Sequence, residues 1–386
     1  MTTSAHLPTE TSTAKPWGYA VPTPEGYAAF VPLPAPRDLN LGLDVLRQLD
    51  RATYRLGMLS GLAANHPLAG IVSDIVLRRE ALASVRMSDM SATTVDLASV
   101  EAEIPSAERS IGALEVANYV AAYRLGTQRL ATMSLSRRLL GELHERLLAG
   151  SADHEGSAGR PRNDQTWVGG SSGHEAVFVP PPVPEMTTLL DDLDRFVQDN
   201  NLPALIQAAV IHFQIEAIRP FDDGNGRLSR LAVPLVLNWR GVLPHPLLSI
   251  SPFLAMRREE YEHRLMEVCA HSDWAGWIRF FLDGVMAQAE KIADLVNDVA
   301  ALHGKYDTSM DRRGVPKAVP KLIDLLFATP VVSTSFVQRE LGISLATARA
   351  SIATLQDLRI LTEMPARGRS KAYRANGIIE LLDRER

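Results

Sequence analysis

The sequence predicts a mainly α-helical protein: a helical bundle carrying one β-hairpin, followed by a winged helix-turn-helix domain. Three observations predict it. Apolar residues recur at three- and four-residue steps over most of the 386 residues. The segment GRPRNDQTWVGGSSGHEAVFVPPP breaks that rhythm, with two short apolar runs around GGSSG and a stop at Pro180, Pro181 and Pro182. Near the C-terminus a short helix, a Gly-Ile-Ser turn and a longer helix follow in order, and then two short strands.

Taken in order, residues 1–37 are rich in Pro, Thr and Ala and read as a tail, mobile at its start. Residues 38–105 form a helical region. Leu43, Leu46, Leu49, Tyr54, Leu56 and Leu59 mark its first helix, and Ile71 to Val85 its second. Residues 106–300 form the core domain, with helices at Ser106–Leu125, Ser134–Leu148, Val183–Asp199 and Leu202–Ile218. Pro220 breaks the last of these. A helix follows Gly226, and two more cover Arg257–Cys269 and Asp273–Asn297. Residues 301–316 are polar and read as a linker. Residues 317–386 form the winged helix-turn-helix, with Arg-Gly-Arg-Ser-Lys at the wing tip.

Composition narrows the class. Hydrophobic residues are 46% and charged residues 22%, ordinary values for a globular chain. No run of eighteen apolar residues exists, so no membrane span is expected. The first residues lack the apolar core of a secretion signal. Cys269 is the single cysteine, which excludes an internal disulfide and fits an inert buried thiol better than a reactive one. A cytoplasmic protein is expected. Net charge is −5, yet residues 301–386 carry 14 Lys/Arg against 9 Asp/Glu. An acidic body with a basic tail suggests two parts with different partners.

The chemistry concentrates in I-R-P-F-D-D-G-N-G-R-L-S-R, residues 218–230. Two glycines one residue apart let backbone N–H groups turn inward as an anion nest, and the helix that follows adds its own N–H groups and dipole. Arg227 and Arg230 share one face of its first turn. Cations are disfavoured at a helix N-terminus, so placing two there makes sense if an anion balances them. Asp222 and Asp223 are hard oxygen donors, and either could hold a Mg²⁺ that bridges phosphates.

HFQIEAIRPFDDGNGRLSR resembles the signature of the Fic (Fic/Doc, Fido) family, H-P-F-x-[DE]-G-N-G-R-x-x-R, at eleven of twelve template positions. The flap-like segment, the helices after the motif, FVPLPAP with the following helical region, and a C-terminal winged helix resemble the family too. The fold implied is a Fic-type helical bundle with a β-hairpin flap and a winged helix-turn-helix. The activity implied is transfer of AMP from ATP to a protein Tyr, Thr or Ser hydroxyl, or movement of another phosphate-containing group. The resemblance assigns Asp223 to Mg²⁺, and Gly224, Asn225 and Gly226 to the α-phosphate. It assigns Arg227 and Arg230 to the outer phosphates, Phe221 to the core, and Trp167, Val168 and Gly169 to a flap that docks a target by strand addition.

Two positions depart from the pattern. The family's catalytic histidine falls at Arg219. A general base must be neutral near pH 7, and a guanidinium keeps its proton. Loss of a positioned base typically costs about 10²–10⁴ in rate. His212 lies two helical turns away and fits packing, and His174 in the flap is a candidate substitute. Three readings of Arg219 stay open: a third phosphate clamp, an ion pair with Asp222 or Asp223, or a positioning charge for an acidic or phosphorylated substrate. The second departure lies where many members carry an inhibitory [ST]-x-x-x-E-[GN] helix. The matching stretch runs from Ser84 to Asp89, with Ser88 in place of the glutamate. The brake on Arg230 is therefore expected to be missing unless Asp89 supplies it.

Three functions follow: a Fic-type transferase with reduced or replaced AMP transfer, an inactive Fic-fold regulator that binds DNA, or a small-molecule enzyme built on the anion site. Expected ligands are ATP or another phosphorylated molecule, with Mg²⁺. Expected partners are a protein target at the flap, DNA at the winged helix and a second copy in a homodimer, with no membrane. Arg349 on the second helix and Arg367, Arg369 and Lys371 on the wing would contact DNA.

Overall fold

Helix α7 (Ala204–Ile218) is buried at every residue except Ala204 and Glu216, and its few polar side chains, such as Gln207 and His212, find hydrogen-bond partners in the core. It appears in a computed structural model that describes residues 15–64, 66–104, 111–151, 156–310, 315–365 and 371–384. These fall into two compact units. The first spans residues 1–57, 121–244 and 250–287, and the second spans 58–120, 245–249 and 288–386.

In the first unit, α7 packs on α8 (Asn225–Trp239), on α6 (Val183–Gln198) and on strand β2 (Ala28–Pro32). α5 (Arg137–Leu147) covers α6 and α8. The Trp277 indole N–H, from α11 (Trp274–Ser309), donates to the Ala209 carbonyl at 3.0 Å and pins α7 from the other side. The N-terminal segment is more ordered than its composition suggests. β1 (Gly18–Pro22) and β2 form an antiparallel hairpin in the register Gly18↔Pro32, turning at Gly26 with φ 89°. The signal for it was Pro-Glu-Gly between two partly apolar runs. The Phe30 N–H donates to the Val179 carbonyl at 2.9 Å, which fastens this hairpin to the flap segment.

The flap itself is a reduced hairpin. Of the two expected strands, only Val168 and Phe178 pair as a bridge. Gly169 and Gly170 both take φ 70°, so the chain curls out of extended geometry immediately after Val168.

The second unit joins part of the 38–105 region to the winged helix. α2 (Ala69–Arg86) packs on α12 (Val319–Ala328). α3 (Thr94–Glu101), absent from the sequence reading, opens on a reciprocal Thr93/Asp96 capping box and packs on β3 (Val331–Ser333) and α15 (Asn376–Asp383). α13 (Thr334–Leu341) and α14 (Leu345–Asp357) form the expected helix-turn-helix, and Gly342 takes the left-handed turn at φ 61°. β4 (Thr362–Glu363) and β5 (Ala372–Arg374) form the wing's stem, in a sheet of order β3-β5-β4. Arg79 on α2 donates from Nη2 to the Leu381 carbonyl at 2.8 Å and from Nε to the Leu382 carbonyl at 3.2 Å. It thus serves the orphan carbonyls at the end of α15. The polar stretch expected as a linker is helical as far as Ser309, because α11 meets no proline there.

Truncating Arg79 removes a charged cap from α15. Arg79→Ala is expected to lower unfolding free energy by about 1–3 kcal/mol, the usual cost of hydrogen bonds from a charged donor. Chemical denaturation followed by circular dichroism checks this, and an unchanged midpoint would remove the assignment.

Candidate functional site

α7 ends at Arg219, which caps the helix in left-handed geometry at φ 45° and ψ 70° while its N–H donates to the Ile215 carbonyl at 3.0 Å. A non-glycine residue there carries strain, and Asn, Asp and His accept it more readily than most. Pro220 then prevents the helix from resuming. The loop is closed from within. The Phe221 N–H donates to Asn225 Oδ1 at 3.0 Å, and Asn225 Nδ2 donates back to the Phe221 carbonyl at 2.7 Å. Asn225 is buried, and its carboxamide braces the loop.

Gly224 takes φ 72°, and a Cβ there would stand 3.2 Å from His144 Nε2. Conformation and space both demand glycine. His144, on α5, was not singled out from the sequence, yet it supports this turn. The Gly159 N–H donates to its Nδ1 at 2.9 Å, so the proton lies on Nε2, which donates to the Asp223 carbonyl at 2.8 Å. Its ring stacks on Phe221 at 3.9 Å. Phe221 is buried, as expected.

α8 therefore begins at a glycine without a side-chain cap. Such a start presents backbone N–H groups and the positive end of the helix dipole. The two expected arginines follow, buried to 2% and 4% exposure. Arg227 Nη2 donates to Asp223 Oδ2 at 3.1 Å, and the Asp223 side chain is half exposed. A Cβ on Gly226 would lie 3.0 Å from Arg230 Nη1 and 3.4 Å from Glu216 Oε1. Two opposite charges thus meet beside the cradle.

Glu216 organises this charge. Its Oε1 accepts from Ser229 Oγ at 2.5 Å and from the Tyr261 hydroxyl at 3.2 Å. Its Oε2 lies 3.7 Å from Arg219 Nη1. Burial raises its pKa, but His212, Arg219, Arg230 and the Ser229 hydrogen bond outweigh that and hold it below the ordinary carboxylate range. Arg219 therefore pairs within its own helix, three residues back. Of the three readings left open for Arg219, the one that pairs it with Asp222 or Asp223 meets a different carboxylate here, Glu216 in the last turn of α7.

The two histidines weighed as substitute bases differ in setting. His212 is fully buried, stacked on Trp277, with Nε2 2.9 Å from the Tyr261 hydroxyl. Burial pushes its pKa down to about 4. It is neutral at pH 7 but sealed from substrate. His174 packs edge-on against Tyr27. Cys269 is buried and its thiol pKa is pushed up to about 12, as an inert thiol requires.

Arg162 is the second residue that sequence reasoning passed over. It is buried, and burial pulls its pKa down to about 10, with Asp222 opposing and Arg219 adding to the fall. Its Nε donates to the Arg219 carbonyl at 2.9 Å and its Nη1 to the Asp164 carbonyl at 2.8 Å, while Nη2 donates to the Pro181 carbonyl. One guanidinium thus holds the end of α7 and both ends of the flap. Trp167 stays 42% exposed at the flap, beside the bridge at Val168 and the turn at Gly169. The signal in the sequence was an arginine two residues before Asp164, inside the segment that broke the helical rhythm.

In the second unit, Ser84 is buried in α2, whereas Ser88 and Asp89 lie beyond its end, Asp89 exposed at φ 58°. On α14, Arg349 is exposed among Ala346, Ala350 and Ala353. Lys371 pairs with Glu363 at 2.9 Å, and Arg367 and Arg369 lie outside the described residues. No group of three or more His, Cys, Asp or Glu that could hold a metal occurs among the described residues. No helix among them is long and apolar enough to cross a membrane.

Comparison with known proteins agrees with this geometry. The Fic/DOC family model matches residues 134–237, and the Fic/DOC family N-terminal model matches residues 46–128. A model described as HTH DNA binding domain matches residues 319–379. Protein adenylyltransferase Fic of Drosophila mojavensis is 31% identical over 145 residues, 37% of this chain and 26% of that protein. Its Drosophila grimshawi counterpart is 32% identical over 145 residues, 37% of this chain and 27% of that protein. The match thus spans about a quarter of those relatives. The crystal structure of a Fic family protein from Desulfovibrio desulfuricans G20 shares the fold, with a TM-score of 0.58 and 20% identity over 89% of this chain and 98% of that one. A C. elegans Fic-1 fragment gives 0.52 and 20% over 66% of this chain and 74% of that one.

Two outcomes follow. The native pKa of His212 lies below the free value of 6.5. The unfolded chain therefore binds the extra proton, and stability falls as pH drops from 6.5 towards 4, by up to about 1.4 kcal/mol per pH unit. His212→Asn should flatten that slope in pH-dependent denaturation. Arg162→Ala frees both ends of the flap, so limited proteolysis should cut residues 164–181 faster in the variant than in the parent.

Proposed function

We propose that the Fic/DOC-type domain of this chain binds a Mg²⁺-nucleotide or another phosphorylated ligand at the start of α8, and that its AMP transfer to hydroxyls is slow or replaced by other phosphate-group chemistry. One observation carries this reading: two arginines buried behind an uncapped, glycine-started helix N-terminus. Burying guanidinium there against the helix dipole needs anions: Asp223 and Glu216 supply them within the chain, and the half-exposed Asp223 is the one a phosphate could replace.

The donor set fits the ligand. The first N–H groups of α8 would take phosphate oxygens. Arg227 and Arg230 would fork onto outer oxygens, exchanging their carboxylate contacts for the ligand's. Asp223, half exposed at the loop, would then face the ion. Mg²⁺ is usually held by one or two carboxylates together with substrate phosphates, so one carboxylate here suffices. The ion would supply charge neutralisation between phosphates. Asn225 and His144 keep the loop in shape while this happens.

The position that matches the family's proton acceptor is Arg219. Arg219 is held by Glu216, and its guanidinium cannot take a hydroxyl proton at neutral pH. The Glu216 contact favours a structural or charge-positioning role for Arg219 over proton transfer. A second reading, regulation through DNA, draws on the HTH match. The exposed face of α14 offers one arginine among alanines, which favours backbone contact over base readout.

Calorimetry with Mg²⁺-ATP, Mg²⁺-GTP and inorganic phosphate tests the main reading. Saturable heat is expected, weakened at least about tenfold by Arg227→Ala. Silence with all three would sink the proposal. Arg219→His, a residue suited to left-handed geometry, should raise transfer of radiolabelled AMP to protein by about 10²–10⁴.

A further inference from the structure

Arg219 is anchored at its backbone and spare at its tip. Its N–H donates to the Ile215 carbonyl, and its own carbonyl accepts from Arg162 Nε at 2.9 Å. Held at both ends, the left-handed bend at φ 45° cannot relax. A guanidinium carries five N–H donors. Among the described residues this one meets a single partner, Glu216 Oε2 at 3.7 Å, too far for a hydrogen bond. The other oxygen of that carboxylate already accepts from Ser229 and Tyr261. Arg162, by contrast, uses all three of its nitrogens. The Arg219 side chain is 22% exposed, so its donors are open to a ligand.

Its place matters as much as its spare donors. Glu216 Oε1 stands 3.4 Å from the Cβ that Gly226 would carry, so one carboxylate separates Arg219 from the first turn of α8. On the other side, Arg162 links the Arg219 carbonyl to the flap at Asp164 and Pro181. Residue 219 therefore stands where the start of α8 and the flap meet. Burial and the nearby Arg219 charge both pull the Arg162 pKa down, against Asp222, to about 10. The two guanidiniums are thus close enough to repel, and a dianion between them would relieve that repulsion.

We propose that Arg219 binds the acceptor of the transferred group, and that this acceptor is a phosphate monoester in place of a hydroxyl. The proposal rests on the reading of α8 as a Mg²⁺-nucleotide site. A hydroxyl must lose a proton as it attacks, and a guanidinium only donates. A phosphate monoester has its second pKa near 6, so at pH 7 it is mostly a dianion with no proton to remove. Two of its oxygens fit the guanidinium fork and leave the third to attack. A carboxylate carries one charge and relieves the crowded arginines less. The step balances as written. The acceptor oxygen forms a bond to the α-phosphorus of ATP. The bond from that phosphorus to the oxygen bridging to the β-phosphate breaks, and its electron pair leaves with pyrophosphate. The product is AMP joined to the acceptor through a phosphoanhydride.

Two measurements on the full chain test this. In the first, the protein is saturated with Mg²⁺ and α,β-methylene-ATP, and glycerol 3-phosphate or a phosphoserine peptide is titrated in by calorimetry. Saturable heat is expected with at least one probe, weakened about tenfold or more by Arg219→Gln and partly recovered in Arg219→Lys. In the second, Mg²⁺-ATP labelled at the α-phosphate is incubated with the same probes, with glycerol, with an unphosphorylated serine peptide and with acetate. Label is expected on a phosphorylated probe, glycerol 3-phosphate marking a small-molecule acceptor and the peptide a protein one. Arg219→His should lose that product and gain label on hydroxyl. Circular dichroism verifies that each variant folds. If the ATP analogue itself gives no heat, the nucleotide reading fails and this proposal falls with it. If the analogue binds while neither phosphorylated probe binds or is labelled, only this proposal is overturned. Label on glycerol, the serine peptide or acetate in preference to the phosphorylated probes overturns it equally, as does Arg219→Gln binding the probes as the parent does.

Discussion

The two hydrogen bonds between the Asn225 carboxamide and the Phe221 backbone are the constraint on which the site depends. They close the loop from within. With the loop closed, Gly224 starts α8 in left-handed geometry and without a side-chain cap. His144 holds the same loop from α5 through the Asp223 carbonyl. The loop is therefore held in one shape by the chain's own hydrogen bonds.

A second constraint is electrostatic. Three arginines crowd a short stretch of chain, and their mutual repulsion is relieved by carboxylates of different exposure. Glu216 is largely buried and hydrogen-bonded by Ser229 and Tyr261, so it is a fixed charge. Asp223 is half exposed, so its contact with Arg227 is exchangeable. The buried carboxylate keeps Arg219 beside the end of α7, whereas the half-exposed one stands beside Arg227 at the edge of the loop. An arginine at residue 219 is thus accommodated without disturbing the loop that follows it. A buried network that is fully satisfied resists change, and the half-exposed partner is where change is cheap.

The second unit shows how local chemistry and packing divide the work. Thr93 with Asp96 starts α3, and Ser344 starts α14 by accepting from the Thr347 N–H. These caps are readable as short patterns. What joins the winged helix to α2 and α3 is different in kind: Arg79 on the end of α15, and Thr94 donating to Asp383 at 2.5 Å. Those partners are separated by about three hundred residues, and no periodicity announces them.

The sequence by itself determined the helical class, the winged helix-turn-helix and the glycine-rich Fic/DOC-type loop. Each is encoded locally: a 3.6-residue rhythm, a turn glycine, a run of twelve motif positions. It also determined that residue 219 cannot act as a base, because that follows from the guanidinium alone. The tertiary structure decided which carboxylate Arg219 meets, that the Asn225 carboxamide closes the loop, that Arg162 and His144 hold the loop and the flap, and that residues 18–32 form a hairpin. It also reduced the flap to one bridged pair. The reason is physical: a side chain's partner depends on burial and on approach in space, and residues far apart in the chain meet only when the core brings them together.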